Sequence, residues 1–125
     1  MDLSESARKV LVVDDDAAVR LLLKAILTTD GFDVDLAPHA EAALEMIDPH
    51  RQVLVITDLN MPVRSGIDLI RRVRALSPNF PILVVSSDET SIAQVAGISK
   101  LECLPKPFAL DALRAAIQRL LSRND

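Results

Sequence analysis

Four short apolar runs dominate this sequence, and each one ends in residues that can bind a cation or a phosphate. The runs and the residues that follow them are 10–13 before Asp14, Asp15 and Asp16; 53–57 before Asp58; 82–85 before Ser86; and 101–104 before Pro105 and Lys106. Runs without polar alternation are typical of strands buried on both faces of a parallel sheet. The carboxyl ends of such strands line one edge, where ligands bind. The sequence therefore predicts a site of carboxylates, a hydroxyl and a lysine, which suits a hard cation and a phosphoryl group.

Helix-like segments alternate with these strand-like runs, a pattern typical of repeated β-strand and α-helix units. The predicted strands cover residues 9–13, 32–36, 53–57, 81–85 and 101–104, and a helix follows each of them. The second and fifth helices are predicted at about residues 39–47 and 110–121, and the fourth is weak, with few apolar residues before Gly97. Since fully apolar strands need helices on both faces, the chain predicts an α/β fold, a doubly wound three-layer (βα)5 sandwich.

Apolar residues at helical spacing predict the helix faces that pack on the sheet. The predicted inward residues are Val19, Leu22, Leu23, Ile26 and Leu27 in the first helix; Ala43, Leu44 and Ile47 in the second; Ile67, Ile70, Val73 and Leu76 in the third; Ile92, Val95 and Ala96 in the fourth; and Leu110, Leu113, Ile117, Leu120 and Leu121 in the fifth. Asp16 is placed to cap the first helix, and Gly31 to end the turn after it.

The size, charge and cysteine content of the chain limit the classes of protein to which it can belong. Its 125 residues suit one domain, predicted over residues 1–125 with a core at about 9–121. The net charge of −4 argues against nucleic-acid binding. No apolar stretch approaches the roughly 20 residues that span a bilayer, and the polar residues 1–6 argue against a signal peptide. The single cysteine, Cys103, cannot form an internal disulfide and fits a cytoplasmic location.

Asp14 and Asp15 are the first candidate ligands. Two adjacent carboxylates at a strand end repel each other, and a divalent cation removes that cost. Mg²⁺ prefers oxygen ligands and commonly uses one or two carboxylates. A solvated acidic turn in which Asp16 caps the helix is the simpler interpretation of this pair alone. Asp58 at the end of another strand shifts the preference to a metal site.

Asp58 itself has several interpretations: a third metal ligand, a base, or a nucleophile that accepts a phosphoryl group. A helix cap is less favoured, because residues 57–62 do not run directly into a helix. Lys106 lies between two prolines, and a fixed ammonium there can neutralise developing phosphate charge. The hydroxyl of Ser86 could donate to a phosphate oxygen.

Taken together in this order, these residues resemble the response-regulator receiver domain of two-component phosphorelays. The motifs that carry the resemblance are Val12-Val13-Asp14-Asp15, Thr57-Asp58-Leu59-Asn60-Met61-Pro62 with Gly66 four residues on, Val84-Val85-Ser86-Ser87, and Lys106-Pro107-Phe108. The match extends over roughly residues 9–121. The resemblance implies a flavodoxin-like fold with a five-stranded parallel sheet in the order 2-1-3-4-5.

The resemblance also implies a role for each site residue. Asp58 is expected to be the phospho-acceptor, and Asp15, Asp58 and the backbone carbonyl of Asn60 to bind Mg²⁺ directly. Asp14 is expected to act mainly through a bound water. Lys106 is expected to pair with the carboxylate and then with the phosphoryl oxygens, and Ser86 to follow the phosphoryl group. A cis Lys106-Pro107 bond is a common feature of the family.

Two departures from the family pattern concern the switch. Family members often carry an aromatic residue three positions before the lysine, and this chain has Cys103 there. The stretch between Ser86 and Lys106 also looks short. Either the fourth helix itself carries the rearrangement, or output uses another face.

The favoured interpretation is a cytoplasmic signalling module, and not an enzyme in the ordinary sense. It accepts a phosphoryl group from a sensor histidine kinase or a histidine phosphotransfer protein and acts on an output domain or effector, with no direct contact to nucleic acid or membrane. One alternative is a Mg²⁺-dependent aspartate-nucleophile phosphohydrolase, which needs an acid two residues after the nucleophile, where this chain has Asn60. Others are a flavodoxin-like cofactor binder, disfavoured by the acids after the first strand, and a degenerate receiver that acts without phosphorylation.

Overall fold

The computed structural model describes residues 8–122, in which five strands and five helices alternate without exception. The elements are β1 Lys9–Val13, α1 Ala17–Thr29, β2 Asp33–Ala37, α2 Ala40–Met46, β3 Gln52–Thr57, α3 Gly66–Leu76, β4 Ile82–Ser86, α4 Glu89–Val95, β5 Leu101–Pro105 and α5 Leu110–Ser122. The predicted strands are all present, with bounds shifted by at most one residue. The expectation for residues 1–6 lies outside the described part of the chain.

All five strands pair in parallel, in the order β2-β1-β3-β4-β5. The predicted fold class and strand order are therefore confirmed. The chain runs outward from β1 to β2 and then returns to the other side of β1 for β3, so the strand order reverses between β1 and β3. In open parallel sheets the crevice at such a reversal is where ligands bind.

Alternate residues of the strands point to opposite faces, and each face is buried. Leu11 and Val13 of β1 belong to the core beneath α2, α3 and α4, whereas Val10 and Val12 belong to the core beneath α1 and α5. All four side chains are at most 1% exposed. Full burial of an aliphatic side chain stabilises the fold by about 1.5–3 kcal/mol, so the uninterrupted apolar strands are explained by the three-layer architecture.

Three of the leucines predicted to face inward are exposed instead. Leu22 is 51% exposed, Leu76 47% and Leu110 41%. Leu76 is the last residue of α3 and Leu110 is the first residue of α5, so no further helical turn covers them. In α1 the fully buried residues are Leu23 and Leu27, one turn apart. Leu22 therefore lies at the edge of the buried face of this helix. The sequence interpretation also missed three buried apolar residues of the helices, Ala40, Leu69 and Ala116.

The predicted helix signals are present. The carboxylate of Asp16 accepts a hydrogen bond from the backbone N–H of Ala18 at the start of α1. Gly31 has a φ of +95°, a left-handed conformation that favours glycine after a helix. Helix α4 is short, as expected, but it begins at Glu89 because Asp88 caps it. Within residues 8–122, no helix is both long enough and apolar enough to cross a membrane.

Candidate functional site

The register of β1 and β3 places two aspartates side by side at the sheet edge. Val13 lies opposite Thr57 in the ladder, so Asp14 and Asp58 follow at the same level. The backbone N–H of Asp58 continues the ladder by donating to the carbonyl of Val13, at 3.0 Å. Both aspartates are buried, with only 2% of Asp14 and 8% of Asp58 exposed. Since charged residues are rarely buried without a partner, these carboxylates require compensation.

Lys106 supplies part of that compensation from the loop after β5. Its ammonium lies 2.8 Å from Asp14 Oδ2 and 3.0 Å from Asp58 Oδ2. The backbone N–H of Lys106 donates to the carbonyl of Ser86, which fixes the start of this loop against β4. The Lys106-Pro107 bond is cis, as the resemblance to the family implied. The loop therefore aims the one ammonium at both buried carboxylates.

Burial and hydrogen bonding change the pKa values of Asp14 and Lys106. Burial raises the pKa of Asp14 above its ordinary value and outweighs the hydrogen bonds from Lys106 and Asp16, which lower it. Burial alone would lower the pKa of Lys106, but its bonds to Asp14 and Asp58 have the larger combined effect and raise it. Lys106 is thus held firmly in its charged form.

Asp15 completes a group of three acids. One carboxylate oxygen from each of Asp14, Asp15 and Asp58 lies within 4.8 Å of the others. Asp15 is exposed, so the cluster opens to solvent on its side. Three converging carboxylates exceed what one ammonium can neutralise, and this oxygen donor set fits a hard divalent cation such as Mg²⁺.

The second oxygen of Asp58 is held by its own loop. Asp58 Oδ1 accepts from the backbone N–H of Leu59 at 2.6 Å and from that of Asn60 at 3.3 Å. The chain then returns to Asp58 at Gly66, the first residue of α3, whose N–H donates to the carbonyl of Leu59. A side chain at Gly66 would collide with the carbonyl of Asp58. This close approach explains the glycine at that position.

Ser86 at the end of β4 and Asn60 in this loop are joined through Asp88. Ser86 is 1% exposed and its Oγ accepts from the backbone N–H of Asp88 at 3.2 Å. The Asn60 side chain donates to Asp88 Oδ2 at 3.0 Å. This bond is the first cause of a lowered pKa at Asp88, followed by the bonds from Ser91.

Two contacts of the site were not predicted from the sequence. Arg20 of α1 donates to the backbone carbonyl of Asp14 at 2.7 Å, and Ser91 of α4 bonds to Asn60 and Asp88. Both residues occupy partly exposed positions on helices, where a polar residue carries no periodic signal. All six residues predicted for the site, Asp14, Asp15, Asp58, Asn60, Ser86 and Lys106, lie at the same edge of the sheet.

Comparison with known proteins identifies the family to which this chain belongs. The model of the response regulator receiver domain matches residues 10–118, and the chain belongs to that family. It is 38% identical over 118 residues to the response regulator MprA of Mycolicibacterium vanbaalenii and 39% identical to that of Mycobacterium ulcerans. In both comparisons the match covers 93% of this chain and 51% of the relative. The chain thus spans about half the length of these curated relatives.

Solved structures share both the fold and its extent. A response regulator receiver domain protein from Clostridium thermocellum superimposes with a TM-score of 0.84 at 26% identity, covering 93% of this chain and 95% of that one. The response regulator TrrA of Thermotoga maritima, solved in complex with Mg²⁺ and BeF, has a TM-score of 0.82 at 28% identity and covers 91% and 99%. This chain is a receiver domain of a two-component response regulator, a signalling domain and not an enzyme in the classical sense.

Proposed function

We propose that this receiver domain accepts a phosphoryl group on Asp58 in a Mg²⁺-dependent reaction and changes its output surface in response. The observation that carries the proposal is the buried carboxylate of Asp58, held by Lys106 and adjacent to Asp14 and Asp15. One oxygen of Asp58 attacks phosphorus while the bond between phosphorus and the donor nitrogen breaks, and the imidazole of the donor leaves. The product is an acyl phosphate on Asp58.

The three acids and the β3–α3 loop would hold the metal. In this proposal Asp15, Asp58 and the backbone carbonyl of Asn60 are direct ligands, and Asp14 acts through a water. Mg²⁺, when bound, supplies positive charge against the phosphoryl oxygens. The exposure of Asp15 supports this arrangement because the cation must enter from solvent, and the burial of Asp14 supports a role behind the exposed ligands.

Lys106 and Ser86 would stabilise the transferred group. Phosphoryl transfer depends mainly on positioning and on neutralising charge spread over the equatorial oxygens. The ammonium of Lys106 already lies 3.0 Å from Asp58 Oδ2, so it can follow charge from the carboxylate to the phosphoryl oxygens. Ser86 would rotate its hydroxyl from the N–H of Asp88 toward a phosphoryl oxygen. This rotation is how phosphorylation would reach the rest of the domain.

The donor and the target are inferred from the family. We propose a phosphohistidine donor, either a sensor histidine kinase or a histidine phosphotransfer protein, and an output domain or effector protein that binds one state better. Residues 1–125 form one receiver domain in this proposal, located in the cytoplasm, where a free Cys103 is compatible with the reducing conditions.

The phosphohydrolase alternative lacks the group that it needs. A phosphatase with an aspartate nucleophile needs an acid two residues later, and Asn60 stands there with its amide bonded to Asp88 and Ser91. The acids at the end of β1 likewise oppose binding of a flavin phosphate. The degenerate receiver is disfavoured, because Asp15, Asp58, Ser86 and Lys106, to which this proposal assigns the reaction, are all present in the sequence.

The direct test is chemical phosphorylation followed by intact-mass spectrometry. Acetyl phosphate with Mg²⁺ should add one hydroxylamine-labile phosphoryl group to the wild-type domain. Asp58→Asn should remove the labelling, whereas Asp111→Asn, an exposed acid in the first turn of α5, should not. Labelling of Asp58→Asn at the wild-type level would show that Asp58 is not the acceptor.

A further inference from the structure

Three polar side chains connect the loop after β3 to the first turn of α4. Asn60 donates to Asp88 Oδ2 at 3.0 Å. The Ser91 hydroxyl lies 3.2 Å from Asn60 Oδ1 and 2.9 Å from Asp88 Oδ2, so its single proton can be shared between them. We call this closed triangle of Asn60, Asp88 and Ser91 the loop–helix latch.

Two corners of the latch, Asn60 and Asp88, also make hydrogen bonds to residues outside it. The backbone N–H of Asn60 donates to Asp58 Oδ1. The backbone N–H of Asp88 donates to Ser86 Oγ, and Asp88 Oδ1 accepts from the N–H groups of Thr90 and Ser91 as the cap of α4. The latch therefore joins the loop that carries the acceptor aspartate, the buried hydroxyl and a helix terminus in one network.

Helix α4 has few apolar anchors, and Ile92 packs against the core while only partly buried. The helix has seven residues, of which only Val95, near its C-terminal end, is fully buried. Beyond the helix, Arg74 donates to the carbonyls of Ser99 and Lys100 and so ties the next loop to α3. The C-terminal side of α4 is thus anchored by packing and by Arg74, and the N-terminal side by Asp88 and its partners.

We propose that the latch makes α4 and the metal-binding loop position each other, with Ser91 and Asp88 as positioning residues that act through Asn60 and do not themselves bind the metal. This inference rests on the proposed function, in which the Asn60 carbonyl is a metal ligand. The hydrogen bonds that Asp88 and Ser91 make to the Asn60 side chain restrict the orientation of the Asn60 backbone, whose carbonyl would bind the metal. Because coupling between two sites is reciprocal, occupancy of the metal site should in turn stabilise the first turns of α4.

The variant Ser91→Ala isolates the latch, and Thr90→Ala is its matched control. Both replace a hydroxyl in the first turn of α4 with alanine, and both raise the intrinsic helix propensity. In the wild type, Mg²⁺ should increase hydrogen-exchange protection over residues 89–96. In Ser91→Ala this increase should be lost, and Mg²⁺ affinity measured by calorimetry should fall about threefold, the effect of one partly exposed hydrogen bond.

Thr90→Ala should match the wild type in both measurements, and Ser91→Thr, which keeps the hydroxyl, should restore them. A purely structural role for Ser91 would lower protection of α4 without changing the response to Mg²⁺. Equal Mg²⁺ affinity and equal Mg²⁺-dependent protection in wild type and Ser91→Ala would overturn the inference.

The experiment separates this inference from the proposed function. A wild-type domain that binds Mg²⁺ and is phosphorylated, with Ser91→Ala indistinguishable from it, refutes only the latch. A wild-type domain that neither binds Mg²⁺ nor is phosphorylated refutes the proposed function, and the positioning role fails with it.

Discussion

Lys106 and Asp14 are 92 residues apart in the chain, and the ammonium of one lies 2.8 Å from the carboxylate of the other. Only 2% of the Asp14 side chain and 20% of the Lys106 side chain is exposed. The same ammonium bonds Asp58. This shared cation keeps two buried carboxylates together at the end of β1 and β3 when no metal neutralises them.

Removing that cation should therefore destabilise the domain. Lys106→Met leaves Asp14 and Asp58 facing each other without compensation, and breaking a buried ion pair costs about 3 kcal/mol or more. Lys9→Met is the control, because Lys9 pairs with Asp33 at 3.3 Å and Asp35 at 3.4 Å, two carboxylates that are more exposed than Asp14 and Asp58. Its loss should cost about 1 kcal/mol or less. Urea unfolding in the absence of Mg²⁺ measures both. If Lys106→Met costs no more than Lys9→Met, the ammonium is not what compensates the buried carboxylates.

Metal binding should depend on Asp15 and not on its neighbour Asp16. Asp15→Asn replaces a charged ligand with a neutral one and should weaken Mg²⁺ strongly in titration calorimetry. Asp16→Asn changes the net charge equally, and asparagine is as good a helix cap as aspartate, so this variant should bind Mg²⁺ nearly as well as wild type. Equal affinities for wild type and Asp15→Asn would contradict the assigned site.

Replacing Gly66 should slow phosphorylation, whereas replacing Gly97 should lower only the stability of the domain. In Gly66→Ala the added Cβ collides with the carbonyl of Asp58, so the loop must shift and phosphorylation by acetyl phosphate should slow by at least about tenfold, the equivalent of 1.4 kcal/mol. Gly97 has a φ of +91° with open space around it. Gly97→Ala should therefore cost about 1–2 kcal/mol of stability while phosphorylation remains at the wild-type rate. Normal phosphorylation of Gly66→Ala would show that the loop tolerates the displacement.

The thiol of Cys103 should make a pH-dependent contribution to the stability of the domain. Burial and then the nearby Glu102 raise the pKa of Cys103 above its ordinary value of 9.0. The native state therefore holds the thiol proton more tightly than the unfolded chain, and this group's contribution to stability is present below pH 9.0 and is lost as the pH rises through the native pKa. Iodoacetamide should alkylate native Cys103 more slowly than the urea-unfolded chain near pH 9. Equal rates in the two states, read by mass spectrometry, would contradict the shift.

The sequence predicted the acid cluster well because strand ends in a parallel sheet converge on one edge. Asp14 and Asp58 needed only the correct strands, which uninterrupted apolar runs marked. Lys106 follows a shorter and weaker run that contains Glu102. The sequence failed as a predictor at the ends of helices, as for Leu76 and Leu110, which are terminal residues of α3 and α5 and are exposed. It also missed Arg20 and Ser91, because a side chain that bonds across loops is identified only when the loops have been placed.

Phosphorylation should reach α4 through Ser86 and Asp88, without an aromatic residue at position 103. Cys103 is half-buried in β5, opposite Val84, and has no ring to reorient. The N–H of Asp88 instead loses Ser86 Oγ as its acceptor when that hydroxyl turns to the phosphoryl group, and Asp88 caps α4. Beryllofluoride with Mg²⁺ should therefore change hydrogen exchange over residues 89–96, and by the same amount in Cys103→Ala as in wild type. Changes confined to the loops after β1 and β3, with residues 89–104 unaffected, would exclude this route and point to output from another face.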